Sequence, residues 1–500
     1  MIAKLIALSI LALALRMAEF AISGAGLHVD EAQYWVWSHD LDWGYFSKPP
    51  LLVALISVST ALFGDSLLGV KSLSMLTWIL SSWVLGWLAF RMSTARVGIF
   101  TGVLFAATPI SGLLGLSVTT DAPLTLFWAL CMLCIWEASH AEGHTKIYWW
   151  LACGVAFGFA VLSKYSALAL GLSALWLVWI CPASHKRSVI WGGLLAGFIT
   201  LAILLPHLFW SIENHWPTAQ HTLDITIRES GSASDSQSVT NKFLSGLEFL
   251  LGQALILGPA VWLISVWLIR QKAPETQIQA PRPEHCWNPQ SFALSFAVPI
   301  ILLGLVQALN AKAMVNWAVP MALGVCLWLG LQTDRFQLST RNFVVFCCLG
   351  FALSGAIAIG GDLKQWFGIP TTQGQSKWDI WGRMRGWHEA LQSLAPTLNA
   401  LPETPWVTDD RSTFVHASYE LRALNPEIFA WNASGGVYHH FDWKRLWNEH
   451  GDGKRFIWVS PNLPHAQLLQ QYPQAQRLAV AQSGRVSLQV WLLQTDQKSQ

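Results

Sequence analysis

Residues 147–181, IYWWLACGVAFGFAVLSKYSALALGLSALWLVWIC, are apolar over 35 positions except around Ser163-Lys164. One helix of that length would reach about 52 Å at about 1.5 Å per residue, far beyond the roughly 30 Å of a bilayer's hydrocarbon. The stretch must hold two spans that turn near Lys164. The same ruler, about 20 apolar residues per crossing, gives eleven spans in all: 2–23, 67–90, 97–116, 122–139, 147–163, 165–181, 189–208, 244–269, 291–308, 317–331 and 342–360. The sequence therefore predicts a polytopic α-helical membrane protein, and composition agrees: of 500 residues 53% are hydrophobic and only 12% are charged.

Leu51–Phe63 is apolar but short, follows Pro49-Pro50 and is closed by Gly64-Asp65, so it fits an interfacial or re-entrant helix. Residues 25–66 then form one long loop on the membrane surface, and residues 209–243 a second large loop on the same side. Arg16 and Glu19 interrupt the first span, which reads as a retained signal anchor rather than a cleaved signal peptide. With the N-terminus inside, Arg91, Arg96, Lys146, Lys186, Arg187, Arg270, Lys272, Arg282, Arg335 and Arg341 fall on the cytoplasmic face, as the positive-inside rule requires. The two large loops, the turns at Asp121, Lys164 and Lys312, and the C-terminus then lie outside.

After Gly361 charges become frequent and no segment reaches membrane length. The sequence predicts a membrane domain over 1–361 and a small soluble α/β domain over 362–500, with helical patterns at 378–393 and 412–424 and strands at 455–460 and 486–493. Residues 229–238, ESGSASDSQS, read as a mobile loop tip. A formal net charge of +2 with scattered basic residues gives no footprint for nucleic acid. Seven of the eight cysteines fall in apolar runs and read as small hydrophobes, the Cys131/Cys134 pair included. Among the 30 tryptophans, Trp35, Trp37, Trp43, Trp149, Trp150, Trp210 and Trp216 sit near the ends of apolar runs, where indole rings anchor at headgroup level.

Charge in an apolar chain marks candidate chemistry, and it is densest at residues 28–50, HVDEAQYWVWSHDLDWGYFSKPP. Neighbours on a helix point about 100° apart, so one carboxylate of Asp30-Glu31 can face a cavity while the other caps the helix or pairs with a base. A positioned carboxylate can act as general base toward a hydroxyl; solvation of the loop is the simpler reading. Lys48 is held by Pro49-Pro50 at a fixed point, suited to a lipid phosphate or to snorkelling among headgroups. Asp121, in the run Thr119-Thr120-Asp121-Ala122-Pro123, fits helix N-capping and substrate binding equally. Lys164 is a secondary candidate because a charge in an apolar stretch is costly. Lys312 and Asn316 form another polar outer turn, and Arg228 is the one arginine of the second loop. His207, Glu213, His215 and His221 are irregularly spaced, so their pattern gives no support for a divalent metal, and no cofactor signature is present.

The stretches HVDEAQYWVWSHDLDWGYFSKPPLLVAL, TTDAPLTLFWAL, GFAVLSKYSALAL and KAMVNWAVP occur in order over the first 320 or so residues. Together they resemble the polyprenyl-phosphate-sugar-dependent glycosyltransferases of GT-C fold, the group containing protein O-mannosyltransferases and lipid A aminoarabinose transferases. The resemblance implies transfer of a sugar from a polyprenyl-phosphate donor to an envelope acceptor, whether lipid, polysaccharide or protein, outside the bacterial cytoplasmic membrane, with inversion at the anomeric carbon. It implies Asp30 as the catalytic acidic residue and Lys48 as a contact to the lipid phosphate. Glu31, Asp121, Lys164, Arg228, Lys312 and Asn316 complete the expected substrate-binding set. At Ser47 the chain departs from the aminoarabinose transferases, which carry glutamate there; this argues against a metal held at that position and against aminoarabinose as the sugar. A transporter or lipid flippase is the alternative from another class, but such proteins place charges near the bilayer midplane and show repeats.

Overall fold

The computed structural model describes residues 2–225, 239–271, 286–310, 313–360, 367–368, 379–447 and 455–495. Residues 229–238, read above as a loop tip, lie outside them, as do Arg228 and Lys312. Among the described residues eight helices are long and apolar enough to cross a membrane: Ile6–Ser23, Leu67–Met92, Asp121–His140, Gly143–Ser163, Ala183–Glu213, Thr240–Ile269, Pro289–Asn310 and Thr340–Gly360. The expected span at 97–116 is a ninth in two pieces, Ala95–Ala106 and Pro109–Gly115, bent by 55°. Ala107 ends the first piece, and Thr108 caps the second by accepting from the Ser111 N–H, with Pro109 at the first helical position. The expected spans at 165–181 and 317–331 are shorter than that ruler. The first comprises a 3₁₀ turn, Tyr165–Ala169, and the helix Leu170–Ile180. The second is the 15-residue helix Met321–Arg335 after a 3₁₀ turn at Val315–Ala318. Leu51–Phe63 forms its expected 13-residue helix.

The described chain separates into two compact units. The first comprises Met1–Glu19, Asp42–Leu55 and Lys71–Ala356, and it is helical. Its helices approach closely where side chains vanish: a Cβ at Gly154 would stand 2.5 Å from the Ala196 carbonyl oxygen. Gly258 adopts φ 73° ahead of Pro259 and breaks the long helix Val239–Ile269, and Pro109 packs where its side chain would be. Buried charges are paired or hydrogen-bonded, as a low-dielectric setting demands, Lys71 donating to the Leu116 carbonyl at 3.0 Å. Arg16 donates to Glu19 one turn on at 2.5 Å, which explains how both interrupt an apolar span. Arg91 grips Glu137 with two hydrogen bonds of 2.5 and 2.9 Å.

The second unit comprises Phe20–Leu41, Ile56–Val70 and Ile357–Gln500. Its strands are Trp406–Thr408 (β1), Ile428–Ala430 (β2), Arg455–Ser460 (β3), Gln474–Ser483 (β4) and Val486–Gln494 (β5), in the order β2-β1-β3-β5-β4. β1 pairs in parallel with β2 and β3, and β5 runs antiparallel between β3 and β4. The two expected strands are present; β1 and β2, three residues each, leave no alternation to read. The helix expected at 378–393 instead spans Trp387–Asn399. It begins after Gly386, whose φ of 88° and closeness to the Ser483 carbonyl leave no room for a side chain. The second expected helix spans Arg411–Glu420 and packs along Val29–Trp37.

Several tryptophans assigned to headgroup anchoring are interior. Trp35, Trp37, Trp150 and Trp210 are buried, whereas Trp43 and Trp216 are exposed. Local packing takes the indoles that neighbouring elements can cover: Trp35 stands edge-on to Tyr419, and Trp37 lies against His440.

Candidate active site

In the second unit the acidic pair divides its labour. His28 precedes the helix Val29–Trp37, and its Nδ1 accepts from the Asp30 N–H at 3.3 Å. Glu31 is buried and its Oε2 accepts from the His28 N–H at 2.7 Å. This capping box satisfies two donors that a helix start leaves open, and it gives Glu31 the capping half of the expected division. Asp30 keeps 45% of its side chain exposed. Its Oδ1 lies 3.1 Å from the Arg411 guanidinium, and Arg411 also donates to Gln33 Oε1 at 3.2 Å. Nearby, burial opposed by the Asp442 carboxylate holds the His439 imidazole below its ordinary value.

In the first unit three of the expected residues converge. Asp121, 2% exposed, accepts at Oδ1 from the Lys164 ammonium at 2.8 Å and at Oδ2 from the Asn316 carboxamide at 3.5 Å. Asp121 is not an N-cap: Thr120 holds that place without a side-chain bond, and the carboxylate is turned to its ion pair instead. Lys164 reaches it because the chain extends there, at φ −160° and ψ 134°, between the helix Gly143–Ser163 and the 3₁₀ turn that follows.

Lys164 and Lys48 both line one cavity of about 400 Å³, together with the polar residues Ser47, His221 and Gln307 and with Ile300, Leu303 and Trp317. The segment leading to Lys48 is pinned. Asp42 accepts from the Trp210 indole at 2.7 Å, and the Trp43 carbonyl meets His207 Nδ1 at 2.6 Å. The other nitrogen of His207 meets the Tyr165 hydroxyl at 2.7 Å. A Cβ at Gly44 would enter the Trp210 ring, at 2.3 Å. Trp210 and His207 are thus fasteners of this loop. Among the described residues no three His, Cys, Asp or Glu side chains come together as a metal site.

A larger cleft, about 1230 Å³, lies in the second unit, lined by Asp65, Arg385, Glu389 and Arg422 among others, and by none of the expected site residues. Its cations are engaged with the protein: Arg385 donates to the Ser23 carbonyl at 2.8 Å and Arg422 to that of Tyr419 at 2.6 Å.

Residues 47–210 match the family model described as dolichyl-phosphate-mannose-protein mannosyltransferase. The fold matches the crystal structure of ArnT from Cupriavidus metallidurans bound to undecaprenyl phosphate, with a TM-score of 0.64 over 98% of this chain and 97% of that one, at 16% identity. That likeness is one of fold. The chain is 29% identical over 299 residues to a lipid A galacturonosyltransferase of Rhizobium johnstonii, covering 58% of this chain and 57% of that relative. It is 27% identical over 190 residues to an undecaprenyl phosphate-alpha-4-amino-4-deoxy-L-arabinose arabinosyl transferase of Enterobacter sp. (strain 638), covering 37% of this chain and 34% of that relative. The matches thus span between a third and somewhat over half of the relatives' own length. It is a multi-pass membrane protein with a small C-terminal sheet domain.

Arg411 was missed by sequence reasoning. The one signal for it was a cation directly after Asp409-Asp410 at the start of a helix, where the helix dipole disfavours positive charge.

Proposed function

We propose that this protein transfers a sugar from a polyprenyl-phosphate donor to an envelope acceptor, by single displacement with inversion. The name of one relative, a lipid A galacturonosyltransferase, favours a lipid A-type acceptor. The reading places it in the bacterial cytoplasmic membrane, with residues 1–361 as the catalytic membrane domain. The site and the domain over 362–500 lie on the extracytoplasmic side, the orientation that the positive-inside rule favours.

The observation that carries the reading is one cavity lined by both Lys48 and Lys164 and by the aliphatic side chains of Ile300 and Leu303. An anionic headgroup joined to a hydrocarbon tail matches both kinds of side chain. Lys48 and Lys164 would hold the donor phosphate and stabilise it as negative charge develops on departure. Asp121, aided by Asn316, fixes the Lys164 ammonium and keeps its buried charge compensated. Arg228 and Lys312 are proposed as further donor contacts from sequence alone.

Asp30 is the proposed general base. It receives the acceptor hydroxyl proton as that oxygen bonds to the anomeric carbon and the polyprenyl phosphate leaves with its bonding pair. Where the acceptor group is already an ionised phosphate, Asp30 orients it. Glu31 supports Asp30 by capping its helix.

The test is transfer from a radiolabelled polyprenyl-phosphate sugar by purified protein. Asp30→Asn should abolish transfer while expression and membrane insertion persist; full activity in that variant removes Asp30 from the mechanism. Mass analysis of lipid A, polysaccharide and glycoprotein from a strain lacking the protein identifies the acceptor.

A further inference from the structure

We propose that Arg411, from the C-terminal part of the chain, is a positioning residue for the Asp30 carboxylate. The inference rests on the reading of Asp30 as the acceptor base. Asp410 caps the helix Arg411–Glu420, accepting from the Thr413 N–H at 2.7 Å, so Arg411 occupies the first helical position. A cation there opposes the helix dipole. A residue that breaks a local preference needs a compensating contact, and such breaks gather at functional sites. Here the contact is Asp30, which itself stands in the first turn of Val29–Trp37. Two helix N-termini therefore meet at one carboxylate, with the guanidinium between them.

The geometry fixes a rotamer. Asp30 and Gln33 are three residues apart on one helix face, and a single guanidinium nitrogen of Arg411, Nη1, reaches both. Oδ1 of Asp30 is held, while Oδ2 is not the atom in that bond. His28 Nδ1 stands 3.7 Å from Oδ2, and since that nitrogen accepts from the Asp30 N–H it does not donate to the carboxylate. Oδ2 is the atom left to take a proton from an acceptor. A side chain 45% exposed and otherwise free to rotate gains its fixed aim from Arg411. The C-terminal domain thereby acquires a role in the transfer itself.

The experiment compares full-length Arg411→Met, Arg411→Lys and Gln33→Leu with Asp30→Asn, using the radiolabelled donor for turnover and undecaprenyl phosphate for binding. Arg411→Met should lose roughly 10- to 100-fold in kcat, the scale of a misaimed catalytic group, with donor KM and undecaprenyl phosphate affinity within about twofold of wild type. Arg411→Lys should regain most of that loss, and Gln33→Leu should lose only a few-fold. Unchanged kcat in Arg411→Met, no rescue by lysine, or loss of undecaprenyl phosphate binding together with kcat each overturns the proposal. If Asp30→Asn is inactive while Arg411→Met keeps its kcat, only the positioning role falls. An active Asp30→Asn removes the base reading and this inference with it.

Discussion

Two carboxylates in this protein have nearly the same company and opposite surroundings. Asp121 meets a lysine and the amide of Asn316; Asp30 meets an arginine that is also bound to the amide of Gln33. Asp121 is 2% exposed and Asp30 is 45% exposed. Burial decides what each can do. Asp121 has both oxygens committed inside the membrane unit and serves to hold Lys164 in place, whereas Asp30 keeps an oxygen available to a molecule from outside. Removing the first should act through structure and donor binding, and removing the second through chemistry alone.

The sharpest way to break that contrast is Asp30→Asn. Loss of a general base costs on the order of 10²- to 10⁴-fold in turnover, and thermal unfolding in detergent should be unchanged; a lowered midpoint would make Asp30 structural as well. Asp121→Asn should do the reverse. It leaves the ammonium of Lys164, which is 18% exposed, without its counter-charge, and breaking a buried pair costs about 3–5 kcal/mol. We expect about 3 kcal/mol from equilibrium unfolding, because Lys164 keeps some solvent. A stable Asp121→Asn protein with normal undecaprenyl phosphate binding would show the pair to be dispensable. Lys48→Met should raise donor KM about tenfold, about 1.4 kcal/mol, with little change in stability, read by steady-state kinetics over donor concentration.

Acid sharpens the comparison further. In the second unit His416 and His440 are pushed down to about 3, mainly by burial. Neither ring nitrogen of His416 has a hydrogen-bond partner among the described residues, and the ring stacks on Trp387 at 4.2 Å. Their native proton affinity lies below the ordinary 6.5, so the unfolded chain binds more protons. The stability of keeping them neutral is complete above pH 6.5 and is lost progressively as pH falls toward 3. Each adds a slope of up to about 1.4 kcal/mol per pH unit in that window. Tryptophan fluorescence should follow this unit's unfolding between pH 6 and 4, and His416→Phe should flatten the dependence.

Much of the architecture was legible because membrane solvation writes itself in long runs. The reversal at Lys164 follows from length alone, and the break between Ala106 and Pro109 bends a span without hiding it. The helices Leu170–Ile180 and Met321–Arg335 were read as full crossings because composition could not show that each begins after a 3₁₀ turn. The candidate residues were legible as charges that an apolar chain has no reason to carry. Their grouping was not: Lys164 and Asn316 lie 43 and 195 positions from Asp121, and pattern carries no information over such separations. Arg411, 378 positions from Gln33, was hidden for the same reason and by its ordinary setting on a polar helix. The tryptophans erred the other way, since position near a span's end does not tell whether a neighbouring element will cover the ring.

The sheet order sets a schedule. β5 lies inside the sheet, between β3 and β4, although it is made after both. A growing chain therefore presents Asp30 first and Arg411 much later, and β3 keeps an open edge until residues 486–494 arrive to close it. Contacts this distant in sequence form slowly. Given the role proposed for Arg411, a nascent or prematurely terminated chain that stops before residue 411 would carry the residues lining the Lys48/Lys164 cavity but no aimed base.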